Sequence, residues 1–363
     1  MANIFGQNEA FGLDISEDSI KLAKLARRGN ALYLATWGKV DIIPGIISDG
    51  EIKRQADLTV AIKNLCASLN GDKLRSKYVA VALPEEETFL RIIKLPKMDS
   101  AAAKKAAIFE AENHIPMPLR DVYIDCEIFQ DLQGRFTEAL IVATPRNIVD
   151  DYASVIEGAG LMPVIMETEN QAAARALVPS LAPQETILII DIGNTRTNFS
   201  IFHDGNLRFG GTIAESMLKM QKAIQTELGV DLKKALELKN KYGLLRENEE
   251  AKKVASAIEP IIENLARQVK KYTDFYYGKA ENCLEESEKM RAILCGEGAI
   301  LRGIEAFISG RLCIPVGIGN PWVNIISEKH RQIPTIDYAQ SVGLATVLGL
   351  AMRGLNIEKE KYD

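Results

Sequence analysis

The chain is poor in the residues that build metal clusters and covalent frameworks. Its 363 residues include five cysteines and three histidines. Cys66, Cys126, Cys283, Cys295 and Cys313 lie far apart with no C-x-x-C spacing. That pattern argues against a structural zinc site or a disulfide framework and makes a reducing cytoplasm the default. Long apolar runs are missing too: the longest, Val342 to Met352, is too short to cross a bilayer. Met1 to Ala10 lacks the basic region and apolar core of a signal peptide. There is no positive excess either, and a formal net charge of −5 argues against general nucleic-acid binding. Low-complexity segments and short-period repeats are absent. These absences predict a soluble, cytoplasmic protein of conventional composition, without direct membrane insertion and reaching a membrane only through a partner.

Two related segments are present. Leu188 to Phe202 reads as an apolar strand, a tight polar turn and a returning strand with one acid, Asp191. Phe11 to Leu22 is a weaker copy built around Asp14. Each Asp ends an apolar strand and precedes small or hydroxyl residues whose backbone N–H groups can turn toward an anion. Two such hairpins facing each other can clamp a phosphate chain. A divalent metal between Asp14 and Asp191 is then required, because the acids would otherwise repel the anion they flank. Ordinary hairpins whose acids cap turns account for either segment taken singly. A third segment, Ala292 to Ile304, is a short apolar strand, then Gly296 and Gly298, then a helical pattern. Glycine there lets the backbone approach a flat group such as adenine or ribose.

Around these motifs the chain reads as two lobes of strand-then-helix units, an α/β organisation. Residues 1–84 and 161–180 form the first lobe. Residues 85–160 change rhythm to strand, helix, two strands, helix, which predicts a small α+β subdomain inserted in that lobe. A Pro-containing stretch, Val178 to Glu185, links to the second lobe, 181–363. Within it, residues 210–290 are helical and heavily charged, and the charge reads as the solvated face of a long amphipathic helix, Ala251 to Tyr277.

The order of hairpin, hairpin and Gly-rich turn resembles the nucleotide-binding core shared by actin, Hsp70 chaperones and sugar kinases. Further segments narrow the resemblance, among them Phe89 to Met98, Phe109 to Pro118, Ala143 to Arg146, Asp150 to Tyr152, Leu161 to Pro163, Asp204 to Phe209, Leu238 to Gly243 and Gly343 to Ala345. Across nearly the whole chain the sequence is similar to the PilM family of type IV pilus assembly proteins, the FtsA-like branch of the actin-like ATPases. The resemblance implies an actin-like, ribonuclease H-like duplicated ATPase fold with ATP and Mg2+ in a cleft between the lobes. Asp14 and Asp191 would hold the metal. Ser16, Ser19 and Lys21 of the first hairpin, and Gly193, Asn194, Thr195 and Thr197 of the second, would meet the phosphates. Gly296, Gly298 and Ala299 match the adenosine turn, and Lys239 a lysine near the adenosine. Family members usually carry Gly where this chain has Ser16 and Glu297, and an acid where it has Leu236.

Glu169 matches the residue that orients the attacking water in actin-like ATPases, with Asp191 as its catalytic companion; an acid at a helix N-terminus, favoured by the helix dipole, explains Glu169 equally. Arg196 reads as an exposed turn arginine, which leaves no dedicated cation for the transition state and implies slow or absent hydrolysis. The resemblance also implies that the insert grips the N-terminal cytoplasmic peptide of a PilN-like inner-membrane protein, links to the pilus motor ATPase, and admits self-association. Leu90, Ile92, Ile108, Phe109 and Ile115 are the candidate groove residues, most of them needed for the insert's own core as well. Two other readings stay open: a division-type, FtsA-like actin homologue and a small-molecule kinase of the same fold. Ile357 to Asp363 has too few apolar residues for the lipid-binding helix expected of the former.

Overall fold

The structure, a computed structural model, describes residues 9–29, 31–130, 135–179, 185–279, 290–326 and 336–355. The readings made on Met1 to Asn8, on Cys283, on the central part of the interlobe linker and on Ile357 to Asp363 lie outside the described residues.

The first hairpin is β1 (Phe11–Ile15) and β2 (Ser19–Arg28), extended by β3 (Ala31–Asp41). A ribbon of β4 (Ile47–Ser48) and β5 (Glu51–Ile52), helix α1 (Gln55–Ala67) and the short β6 (Asn70–Gly71) lead to β7 (Tyr78–Leu83), which runs parallel to β1. Next come β8 (Phe89–Pro96), α2 (Ser100–Ala111), β9 (Val122–Gln130), β10 (Phe136–Pro145), α3 (Arg146–Gly158), β11 (Met162–Thr168) and α4 (Glu169–Leu177). The second half repeats the opening with β12 (Thr186–Ile192), β13 (Thr197–His203) and β14 (Asn206–Ile213), followed by α5 (Met217–Leu228), α6 (Leu232–Tyr242) and α7 (Glu249–Lys279). It continues with β15 (Met290–Cys295), the helix Ile304–Leu312, β16 (Val316–Ile318) and the helices Tyr338–Val342 and Ala345–Gly354.

The two large sheets repeat one plan. Their orders are β11-β7-β1-β2-β3-β6 and β14-β13-β12-β15-β16. In each, an acid-tipped strand sits between its antiparallel hairpin partner and a parallel strand arriving later in the chain. Such central strands are covered on both faces and therefore read as continuous apolar runs. All five residues of β1 are buried, as are all of β12 except the half-buried Asp191. In α7, Ala251, Val254, Ala255, Ile258, Ile262, Leu265, Ala266 and Val269 recur at helical spacing on the buried side.

The insert is a separate antiparallel sheet, β8-β10-β9, covered by α2. Asp99 caps α2 by accepting from the Ala102 backbone N–H at 2.9 Å. The helix lays a stripe of Ala103, Ala107 and Ala111 on the sheet. Ile108 and Phe109, two of the candidate groove residues, are 43 % and 74 % exposed, because the small alanines let the helix sit close with those two side chains turned outward. Ile115 is in the insert core, while Leu90 and Ile92 pack against the core of the second sheet.

Two boundaries differ from the sequence reading. Helix α3, assigned to the insert at 85–160, buries Ile148, Tyr152, Val155 and Ile156 in the core of the first sheet. Its strongly amphipathic pattern was legible, but which sheet receives the apolar face is a tertiary choice. Similarly, the helix Ala345–Gly354, assigned with 181–363 to the second lobe, packs Val347, Leu348 and Ala351 with Ala23 and Leu25 of β2.

That helix crosses α4 with no room to spare. A Cβ at Gly349 would lie 1.8 Å from the Ala172 carbonyl oxygen. Backbone rather than a movable side chain forms the obstacle, so Gly349→Ala is expected to cost about 3 kcal/mol, the upper range for overpacking. Chemical denaturation of the variant gives the value, and a loss below about 1 kcal/mol would mean that the two helices can part cheaply.

Candidate functional site

The two hairpin turns face one cleft. Its walls include Asp14, Ser16 and Lys21 from the first hairpin, Asp191, Gly193, Asn194 and Thr195 from the second, Glu169 from α4, and Gly296. Nine of the expected site positions are thus brought together from four distant stretches of chain. Ser19, Thr197, Lys239, Gly298 and Ala299 are not on the wall of that cleft. Thr197 is buried and donates its hydroxyl hydrogen to the Glu215 carbonyl at 2.7 Å. Its expected phosphate contact is therefore replaced by a structural one that anchors the approach to α5. The Ser19 hydroxyl is likewise buried, 3.2 Å from that of Ser16. Gly298 is held so near Ile192 that a Cβ would lie 2.3 Å from its side chain.

Local chemistry explains the turns. In the first, the Ser16 backbone N–H donates to the Ser19 carbonyl at 2.9 Å, and the Ser16 hydroxyl donates to Asp18 at 3.0 Å. In the second, Gly193 N–H donates to the Arg196 carbonyl at 2.9 Å, and a Cβ on Gly193 would meet that oxygen at 2.8 Å. Gly296 adopts φ 78°, and a Cβ there would lie 2.2 Å from Asp191 Oδ1. Both conditions select glycine.

Burial sets the electrostatics. It raises the pKa of Asp14 and lifts that of Asp191 to about 6, with Lys21 opposing both shifts. It raises Glu169 well above the ordinary carboxylate value, against the pull of Arg196. Asn198 donates its amide hydrogen to Glu169 Oε2 while its own carbonyl accepts from Thr212 at 2.8 Å, which orients the acid. Arg196 is not an exposed turn residue. It is largely buried and pairs with Glu17 at 3.3 Å, with Glu86, and with Glu169 at 3.9 Å. Glu297, which the sequence allowed to point away, turns into the cleft, where its Oε1 accepts from Lys39 Nζ at 2.6 Å and lies 3.6 Å from Lys21 Nζ. Burial would raise its pKa, but the two lysines hold it below the ordinary value. Asn198 is a cleft residue that sequence reasoning does not single out, while Arg196 and Glu297 are noted there but with other surroundings. The signals are the position of Arg196 in the second hairpin turn and the two glycines that flank Glu297.

The residues fit an adenine nucleotide in kind. Lys239 is 1 % exposed and its Nζ finds no hydrogen-bond partner among the described residues, as expected of a cation kept for a ligand. Among the described residues no group of three or more His, Cys, Asp or Glu side chains is placed to hold a metal ion. Two acids alone suit Mg2+ only in company with phosphate oxygens, which is how that ion is usually bound.

A second and larger depression, about 1240 Å³, lies where the three sheets meet. Consecutive residues Tyr123 to Glu127 of β9 form one wall, Ile165 to Thr168 of β11 with α4 another, and the β13–β14 turn a third. Strand β9 is an edge of its sheet, so its outer backbone groups are not used in that ladder. Arg175 forms a double hydrogen bond to Glu167 at the floor. The Glu138–Arg208 pair, with the guanidinium 4.4 Å from the Phe129 ring, ties the insert to β14 of the second sheet. Among the described residues no helix is long and apolar enough to cross a membrane.

A family model described as type IV pilus assembly protein PilM matches residues 12–355. Among solved structures, a PilM-PilN type IV pilus biogenesis complex is similar over 96 % of this chain and 98 % of the other, with 25 % identity and a TM-score of 0.77. MreB5 of Spiroplasma citri bound to ADP is similar over 97 % of this chain and 98 % of the other, at 12 % identity and TM-score 0.59. The ethanolamine utilization protein EutJ from Carboxydothermus hydrogenoformans is similar over 96 % and 91 %, at 15 % identity and TM-score 0.55. The latter two establish the actin-like fold alone.

Proposed function

From the premise that the chain belongs to the family of type IV pilus assembly proteins PilM, we propose that it is an ATP-binding scaffold that captures a short peptide of a PilN-like inner-membrane protein and links that platform to the pilus motor. The observation that carries the reading is the groove beside β9. It offers an unpaired strand edge, apolar side chains such as Val142 and Ile165, and the acids Asp125 and Glu127. Those features suit an extended peptide with basic and apolar residues, added as a further strand. The groove, rather than the outer face of α2 with Ile108 and Phe109, is where we place the peptide. We take 85–145 as the partner-binding insert and the two large sheets, with their helices, as the lobes. Attachment to the membrane through this partner accounts for a peripheral location.

In the cleft, Mg2+ would sit between Asp14, Asp191 and the phosphates, which Gly193, Asn194, Thr195, Ser16 and Lys21 would receive. Held there, the metal would supply neutralisation of the phosphate charge. Burial raises the pKa of Glu169 well above the ordinary carboxylate value, which leaves less of it ionised to act as a general base there. Arg196, committed to three carboxylates, is not available to the transferring phosphoryl group. Slow turnover or none follows, so ATP serves as a ligand that sets lobe position.

The test is the melting temperature with Mg-ATP and, separately, with a peptide from the cytoplasmic N-terminus of a PilN-like protein, since a ligand that binds only the folded state raises its stability. Both are expected to raise it. Tyr123, a partly exposed aromatic at the groove wall, is the anchor to remove: Tyr123→Ala should weaken peptide binding by about tenfold or more and leave the ATP shift intact. Undiminished peptide binding would move the partner elsewhere on the molecule.

A further inference from the structure

We propose that Glu297 is an internal occupant of the polyphosphate site, a carboxylate that ties the second lobe to the first through Lys21 and Lys39 and that a nucleoside triphosphate must displace. The inference rests on the nucleotide reading above and concerns how tightly that ligand is held. Glu297 follows β15 of the second sheet, whereas Lys21 and Lys39 stand on β2 and β3 of the first. Its Oε1 therefore spans the cleft, 2.6 Å from one ammonium and 3.6 Å from the other.

The described wall of the cleft carries two cations, Lys21 and Arg196. Arg196 is committed to Glu17, Glu86 and Glu169, so Lys21 is the cation left for a phosphate, and Glu297 engages it. A carboxylate and a phosphate are alternative anions for one ammonium group. The narrowness of the cleft agrees: its free space measures about 70 Å³, against about 300–1,000 Å³ for typical ligand pockets. Entry of a nucleotide therefore parts walls that the Glu297 ion pairs hold together. The Glu297 stem lies against Gly343, where an added Cβ would meet its Cγ at 3.0 Å, so the side chain is held on that side while its carboxylate reaches the two lysines.

Competition of this kind acts on charge and has a distinct signature. Glu297→Gln keeps the shape and removes the anion. In the full chain it is expected to bind Mg-ATP about tenfold more tightly than the native protein, with a much smaller gain for adenosine, which brings no phosphate to Lys21. Isothermal calorimetry on both proteins with both ligands gives the comparison. Equal or weaker Mg-ATP affinity in the variant, or an equal gain for adenosine, overturns the inference while the nucleotide reading stands. Absence of Mg-ATP binding in both proteins removes the nucleotide reading and this inference with it.

Discussion

Arg196→Met is expected to lower the unfolding free energy at pH 8 by about 3–5 kcal/mol, the scale for breaking a buried ion pair from one side. The guanidinium belongs to the second hairpin but reaches three elements of the other half: Glu17 in the first turn, Glu86 before β8, and Glu169 at the start of α4. Its side chain is 15 % exposed, so solvent cannot replace it. Burial works against its charge, yet the three carboxylates together raise its pKa. Glu86 and Glu169 are themselves raised by burial, with Arg196 the main opposing influence. Without the arginine their folded-state pKa values climb further above the unfolded ones. The deficit is therefore full above those values and shrinks as pH falls and the acids take up protons. Urea denaturation at pH 8 and pH 5 should show the larger loss at pH 8. A loss under about 1 kcal/mol at both, the scale of a surface pair, would mean that Arg196 is no hub.

Lys239→Met should act in the opposite sense, stabilising the nucleotide-free protein while impairing the site. Lys239 lies on α6 with its ammonium buried and unpartnered among the described residues, and burial lowers its pKa from 10.5 to about 8. That shift corresponds to about 3 kcal/mol of disfavour for the charged form. Because the folded-state pKa lies below the unfolded one, the destabilisation is complete below about pH 8 and fades as pH rises toward 10.5. Methionine has similar reach and no charge. The variant is thus expected to gain about 2–3 kcal/mol at pH 7, with the difference closing above pH 10, and to lose Mg-ATP affinity. Stability gained at the expense of ligand binding is a common mark of a functional buried charge. Unchanged stability would show that the ammonium has a partner after all; unchanged ATP affinity would remove Lys239 from the nucleotide's surroundings.

The duplicated plan was legible because its signals are local and redundant. An apolar run such as Leu188 to Ile190, one acid and a tight turn specify a buried strand entering a hairpin, and they occur twice. Glycines at Gly193 and Gly296 were legible for a similar reason, since each position needs a backbone that a side chain would obstruct. The groove residues were not. Ile108 and Phe109 group with Leu90, Ile92 and Ile115 as one set because all are apolar, but Ala103, Ala107 and Ala111 are what α2 presents to the sheet, and Ile108 and Phe109 face outward.

By itself, then, the sequence determined the strands, the acids at their ends and the three turns that meet at the cleft, all of them properties of a few consecutive residues. It determined the amphipathic faces of α3 and α7 as well, since periodicity is written along the chain. Only the tertiary structure decided which core receives α3, that Thr197 turns inward to Glu215, that Arg196 gathers acids from three elements, and that Glu297 reaches the lysines of the opposite lobe. Each of these depends on partners distant in sequence, and the strength of a charge pair is set by the burial that those partners create together.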